Sequence, residues 1–497
     1  MRVSPTTRFL VSLFLAILVG GIASADPAVD RLFVLVSPPD IAGPSTIVAF
    51  DVGSDGVPVQ AESYSTGGTG LRQNSPQGVV TDAGGRFLFA ANNESHDIAV
   101  FAIRPDGTLA AVEGSPFAVG VGPFTYSPVY LAVTPDASFL YAAAQGALVA
   151  FEIGDTGALD PIQSLPETMA EIATSPQGDH LYAAGLYTSA VHAYRITSAG
   201  LLEELDDSPF AYDADRPYQV VVSSDGFRVW VLDLDTGIAA FDVGGDGSLL
   251  LSGQTATETF ATALESAAND AFLYAAPPFE PAVLGFESSQ AAPVALPSSP
   301  FPAEYTGIEL LASPDGSRLY QITADLASIL PMDIETNGEL TPIGPPVAVD
   351  TGDDSVPNGA TYFTRRAPEI AIDVRPGSDR NPIQLRSRGV IPVAILGSAA
   401  FDVADVDQAS VRFGPAGAVP GHRLPHRLVD IDGDGDLDVV LHFRTEATGF
   451  DCGDTTADLV GLTFDGDEFG GSDAIDVLGC DGRGSRATGL QRTRPQR

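Results

Sequence analysis

Lysine is missing from this chain of 497 residues. All 25 basic residues are arginine, set against 65 Asp and Glu, for a formal charge of −40 at pH 7. So acidic a surface repels phosphates, which argues against a nucleic-acid or anionic-membrane partner. Cysteine is almost missing, with Cys452 and Cys480 alone. Two thiols without a nearby histidine pair make half a zinc site at best. Histidine is scarce, six in all, at 96, 180, 192, 422, 426 and 442. Long apolar runs are confined to the N-terminus, so no span is expected in the mature chain. No G-x-S-x-G elbow, HExxH helix or P-loop occurs.

The N-terminus reads as a secretory signal peptide over residues 1–25. Arg2 and Arg8 form its positive end, Phe9 to Ile22 its apolar run, and Ala23-Ser24-Ala25 its cleavage site. The expectation is a secreted, extracellular protein, with the periplasm as the other destination, and a monomer. In an oxidising compartment Cys452 and Cys480 are expected to form one disulfide.

What is abundant is glycine, 52 residues, and proline, 38, as a turn-rich all-β chain needs. One short pattern recurs through most of the chain: Phe139-Leu140-Tyr141-Ala142-Ala143, Phe87-Leu88-Phe89-Ala90-Ala91, His180-Leu181-Tyr182-Ala183-Ala184 and Phe272-Leu273-Tyr274-Ala275-Ala276. Looser copies centre on Phe33, Trp230 and Tyr320. The seven anchors at 33, 89, 141, 182, 230, 274 and 320 are 56, 52, 41, 48, 44 and 46 residues apart. A repeat of this length carrying four short strands predicts propeller blades. Each unit opens with an apolar strand ending in a turn such as Thr134-Pro135-Asp136. The anchor strand follows, then an alternating strand such as Ile98 to Ile103, then a weaker fourth. Three fourth strands lead into Ser-Pro-Phe, at 115–117, 208–210 and 299–301. The first unit lacks an opening strand, and Gly359-Ala360-Thr361-Tyr362-Phe363 is expected to complete it, leaving no bare sheet edge.

Ser313-Pro314-Asp315-Gly316-Ser317-Arg318-Leu319-Tyr320 and Gly114-Ser115-Pro116-Phe117 carry a resemblance. Over about residues 30–365 the chain resembles the lactonase-like and YVTN-repeat seven-bladed β-propellers, among them bacterial 6-phosphogluconolactonases. The resemblance implies the fold directly. It implies lactone hydrolysis only as an alternative, because the matching residues belong to turns and core. An acid–base residue is hard to find: His96, on a loop, is the best placed, His192 sits mid-strand, and His180 reads as a strand-end surface residue. No basic cluster suits a phosphosugar.

The repeat stops in a Pro-, Asp- and Gly-rich stretch at 345–368. The expected domains are the propeller over 26–366, a small β-sandwich over 367–483 and a disordered tail over 484–497. Ile372 to Asp379 and Gly389 to Gly397 resemble a C-terminal module of secreted bacterial proteins. Within it, Asp430-Ile431-Asp432-Gly433-Asp434-Gly435-Asp436-Leu437-Asp438 alternates carboxylates around glycine. Calcium takes six to eight hard oxygens, and this spacing aims alternate residues inward. Asp430, Asp432, Asp434 and Asp438 are expected to bind calcium by side chains, and Asp436 by its carbonyl. The reading is an all-β, exported, non-catalytic scaffold that binds a small molecule or an extracellular partner.

Overall fold

The computed structural model describes residues 30–38, 43–70, 78–104, 107–120, 127–257, 259–323, 327–350, 355–363, 370–378, 380–385, 387–398, 401–421, 428–464 and 468–479. The expected signal peptide and C-terminal tail, together with His422, His426 and Cys480, lie outside the described residues. The chain divides into two compact units, one running from Val29 to Glu369 and the other from Ile370 onward.

The first unit contains seven antiparallel sheets, each one blade of a propeller; three have four strands, and four have a fifth short strand that pairs with the third. In blade 3 the strands run in order Pro128–Val133, Phe139–Ala144, Ala147–Ile153 and Leu159–Leu165. Val356–Phe363 pairs antiparallel with Asp30–Ser37, with Leu32 opposite Tyr362, so the end of the repeat array completes blade 1 as expected. Each anchor strand is buried on both faces because a neighbouring blade covers each side. Seven buried clusters result, and each draws on two adjacent blades. The cluster of Leu32, Val34, Phe50, Tyr320 and Ile322 joins blade 7 to blade 1.

The turn sequences have local reasons. The hydroxyl that opens the Ser-Pro-Asp-Gly type of turn accepts from the first amide of the anchor strand: Phe139 to Thr134 at 3.0 Å, Arg228 to Ser223 at 2.9 Å, Arg318 to Ser313 at 3.0 Å. The Ser-Pro-Phe connectors have cis Ser–Pro bonds. Where the fourth strand leaves the third, their serines accept the freed amides of Val100, Ala193 and Gly285 at 2.8, 3.1 and 3.0 Å.

The blades are also tied in one direction around the ring. The first residue of each anchor strand reaches the outer turn of the following blade. Arg31 Nη1 donates to the Gly107 carbonyl at 3.0 Å, and His180 Nε2 lies 3.0 Å from the Asp246 carbonyl. Arg228 Nη1 donates to Ser288 and Gln290, both at 2.8 Å. Phe87, Phe139 and Phe272 lie on the turn glycines Gly157, Gly200 and Gly338. Arg318 Nη2 closes the ring on the Ser54 carbonyl at 2.7 Å. Where the anchor is tyrosine, its hydroxyl donates to the same glycine: Tyr141 to Gly200 at 3.1 Å, Tyr182 to Gly247 at 3.2 Å, Tyr274 to Gly338 at 2.9 Å, Tyr320 to Gly56 at 3.2 Å. His180 is therefore a buried link, not the surface residue expected from its strand-end position. The sequence reading treated its slot as a solvent edge, whereas the next blade covers it.

The second unit has a four-stranded sheet of Ile372–Val374, Val390–Ile395, Asp438–Arg444 and Leu428–Val429. A three-stranded sheet holds Val406–Phe413, Thr456–Thr463 and Glu468–Ala474. The two share one core, including Val374, Ile391, Val393, Phe413, Leu441, Phe443, Leu459 and Phe469. No cysteine among the described residues is free. The pairing of Cys452 with Cys480 falls on a residue outside them.

The inter-blade ties predict a sharp contrast between two glycines of one turn. Gly247 has φ 84°, and a Cβ there would sit 2.1 Å from the His180 ring, whereas at Gly245 it would meet nothing within 4 Å. Gly247→Ala should cost at least about 1–2 kcal/mol from the left-handed backbone alone. Gly245→Ala should stay within about 0.5 kcal/mol of wild type. Urea unfolding of the two variants checks this, and equal stabilities would refute the tie.

Candidate functional site

The seven opening strands surround a cavity of about 300 Å³, and every blade contributes to its lining. Aliphatic residues in its lining include Val80, Val133, Leu310 and Leu311, but Thr81, Thr174 and Thr361 and the strand backbones leave more of its open surface polar than apolar. Gln219, Glu265 and Glu309 also line it. Among its described lining residues there is no arginine or histidine.

The polar residues come from one repeat slot. Tyr130 pairs with Ala143, Gln219 with Leu232 and Glu309 with Ile322, each partner lying two residues past its anchor aromatic. Glu171 is equivalent, since its carbonyl accepts from Ala184. All four precede the turn hydroxyl by four residues, at 134, 175, 223 and 313. Glu265 stands opposite the anchor Tyr274 itself, one alternation further along. The cavity extends from this acidic layer toward the strand ends at Thr81, Val133 and Thr174.

Glu171 and Glu309 are 0% and 4% exposed. Both oxygens of Glu171 and Oε2 of Glu309 have no hydrogen-bond partner. The Gln219 amide lies near Glu171 without completing a bond; its Oε1 accepts from the Leu264 amide at 2.5 Å. Glu265 Oε1 accepts from the Ala312 amide at 3.1 Å, and its exposed part faces the cavity. Burial pushes Glu171 well above the ordinary carboxylate range, with Gln219 opposing and Glu265 adding repulsion. Burial does the same to Glu309, reinforced by Glu171 and Glu265 and offset by the Ala360 amide. Glu265 is pushed up to about 8 by burial, against the Ala312 bond and with repulsion from Asp270. A buried acceptor left without a donor costs about 1–3 kcal/mol, and more when charged. Burial and mutual repulsion therefore favour the neutral form of these acids.

The sequence reading missed these residues. In sequence the opening strands read as plain apolar runs. The available signal was a polar residue at one fixed slot of otherwise aliphatic strands.

The histidines are held elsewhere. His96, at φ 59°, has Nδ1 2.8 Å from Ser127 Oγ. His192 is buried, with Nδ1 3.0 Å from Glu204 Oε1 and Nε2 2.9 Å from Thr188 Oγ1. Neither lines the channel cavity.

In the second unit, the acidic run links the paired strands Leu428–Val429 and Asp438–Arg444. Ligand oxygens of Asp430, Asp432 and Asp434 lie within 4.8 Å of one another, and all three residues are exposed. Two oxygens on opposite sides of a calcium ion are about 4.6–5.2 Å apart, so this trio fits one ion. Asx-type bonds shape the loop: Gly433 to Asp430 at 2.7 Å, Asp434 to Asp432 at 3.1 Å, Asp436 to Asp434 at 2.9 Å. Asp438 is buried and accepts from Gly397 at 2.9 Å and Ile431 at 2.7 Å, which pins the loop base. Asp436 faces a groove beside Asp402 and Asp405, two acids not singled out from the sequence.

Residues 113–257 match the family described as "Lactonase, 7-bladed beta-propeller". No curated protein matches the chain. Among solved structures, a candidate 6-phosphogluconolactonase from Bacteroides uniformis aligns with TM-score 0.58 and 15% identity, over 68% of this chain and 100% of that one. One from Bacteroides fragilis gives 0.56 and 18%, over 68% and 99%. The periplasmic gluconolactonase of Pseudomonas aeruginosa gives 0.52 and 17%, over 68% and 100%. Identities this low speak for the fold alone. With its seven blades and the match over 113–257, the propeller unit has a seven-bladed β-propeller fold similar to that of the lactonase family.

Proposed function

We propose that this chain is an exported, non-catalytic binding scaffold whose propeller takes a small molecule in its channel and whose C-terminal unit is steadied by calcium. The observation that carries it is the channel cavity, a concave site in which aliphatic side chains from the opening strands frame convergent polar groups. The lining selects against phosphorylated sugars, because a phosphate would meet carboxyl groups and no guanidinium. Export rests on the N-terminal sequence pattern. Among the described residues, no helix is long and apolar enough to cross a membrane.

Hydrolysis of an uncharged lactone is the second reading. The family match favours it, as do acids that hold protons near neutral pH and could donate to a lactone carbonyl. Purified mature protein should leave gluconolactone and 6-phosphogluconolactone at their spontaneous hydrolysis rates. Turnover that is lost in Glu309→Gln or His96→Ala would replace the scaffold reading with the enzymatic one.

The calcium reading rests on the oxygen trio of Asp430, Asp432 and Asp434. When bound, the ion would relieve repulsion among these carboxylates and hold the loop closed. At calcium 100 times the dissociation constant, binding to the folded state adds about 2.7 kcal/mol. Calorimetry of the full chain should show the C-terminal transition falling by several degrees in EDTA, with the propeller transition unmoved. Asp432→Ala should lower it similarly and abolish the response. A chain whose transitions all ignore EDTA, with no calcium uptake, would leave the loop an acidic turn.

A further inference from the structure

The channel acids are more than the fold requires. Apolar residues at the same positions satisfy the packing in other blades: Ala263 holds the slot of Glu171 and Glu309, and Val80 the position of Glu265. Instead Glu171 and Glu309 bury oxygens without donors, and Glu309 turns into the cavity with Glu265. A ligand that completes this site brings hydrogen-bond donors, and positive charge best offsets three neighbouring carboxyl groups. A bare metal ion is the wrong size. Among the described residues only Asp430, Asp432 and Asp434 bring three ligand oxygens within 4.8 Å of one another. The channel trio is spread more widely, and the rest of the wall mixes threonines and Gln219 with aliphatic side chains.

We propose that the propeller channel is a site for an aliphatic amine, bound as its ammonium cation against Glu309 and Glu265 with its methylene chain along Val80, Val133, Leu310 and Leu311. The inference rests on the reading of the channel as a small-molecule site and names the ligand class. An ammonium supplies three donors to oxygens that lack them, and Glu171 adds a third negative group behind the pair. The aliphatic side chains in the lining give a methylene chain contacts that a hydrated inorganic cation cannot make.

Binding is linked to protons. Burial favours the protonated form of the channel acids, with Glu265 pushed up to about 8. A cation favours the ionised form, so a carboxylic acid and an ammonium become a carboxylate–ammonium pair plus one released proton. Affinity therefore rises with pH until Glu265 is ionised in the free protein. The groups facing this layer are Glu171, Glu265 and Glu309, with Asp270 behind Glu265 and the Tyr130–Tyr218 pair beside Glu171. Burial raises both tyrosines, which stay neutral throughout this range.

The test is calorimetric titration of the full mature chain with 1,4-diaminobutane, using 1,4-butanediol as its uncharged counterpart, in about 0.15 M salt to screen the acidic exterior. The diamine should bind once per chain and the diol should not. Affinity should rise by about tenfold or more between about pH 6 and 8.5, with about one proton released, counted from buffers of different ionisation heat. Glu309→Gln and Glu265→Gln should each weaken binding by about tenfold or more. Ala173→Leu, which fills the cavity and leaves every charge in place, should abolish it. Diamine binding that survives Glu309→Gln and Ala173→Leu would be surface attraction and would overturn the proposal, as would the absence of diamine binding at both pH values. Gluconolactone binding that Ala173→Leu removes, without diamine binding, would overturn the amine and leave the channel site standing. If neither compound binds, both readings fail.

Discussion

The fold depends on one contact made seven times, between the start of a blade's anchor strand and the outer turn of the next blade. Arg31, Phe87, Phe139, His180, Arg228, Phe272 and Arg318 all occupy this position. The residue type varies, but the partner does not: a turn whose backbone is exposed at close range. Where that turn has glycine at positive φ, no Cβ stands between it and the arriving side chain. A tyrosine two residues on adds a hydroxyl bond to the same turn in four of the blades. Because every contact points the same way around, the ring closes only when blade 7 finds blade 1. The strand Val356–Phe363 makes that possible by supplying blade 1 from the far end of the array.

This explains why the architecture was legible in the sequence. The anchor aromatic, the turn hydroxyl four residues after the inner slot and the Ser-Pro-Phe connector are each fixed by a backbone partner that recurs in several blades. Repetition at a steady period made them visible. The partners themselves were not visible, because they lie in the next repeat. His180 looked like a surface variant of Phe139 when viewed within one repeat. Gly247 and Asp246, 66 or more residues later, show it to be interior.

The site was far less legible, for a related reason. A binding residue in a propeller departs from the repeat, and departures look like noise when the repeat is the signal. Glu171, Gln219 and Glu309 replace each other at one slot, while Glu265 is displaced by one alternation. Their convergence exists only once the ring has closed. The loop at 430–438 is the opposite case. Its residues are neighbours in sequence, so their convergence could be read directly, and Asp430, Asp432 and Asp434 do come together. What could not be read was the part played by Asp438, whose buried carboxylate accepts from Gly397 across the sheet.

A closed ring has no privileged seam, and that is the claim to test. The bond from Tyr320 to Gly56 spans the ends of the array, while the bond from Tyr182 to Gly247 joins two blades adjacent in sequence; both measure 3.2 Å. Removing either hydroxyl leaves the same kind of buried carbonyl without its donor, at a cost of about 1–3 kcal/mol. Urea unfolding of Tyr320→Phe and Tyr182→Phe should therefore give losses equal to within about 0.5 kcal/mol, in a single propeller transition. If Tyr320→Phe were silent while Tyr182→Phe was costly, the seam between blades 7 and 1 would not be closed as described.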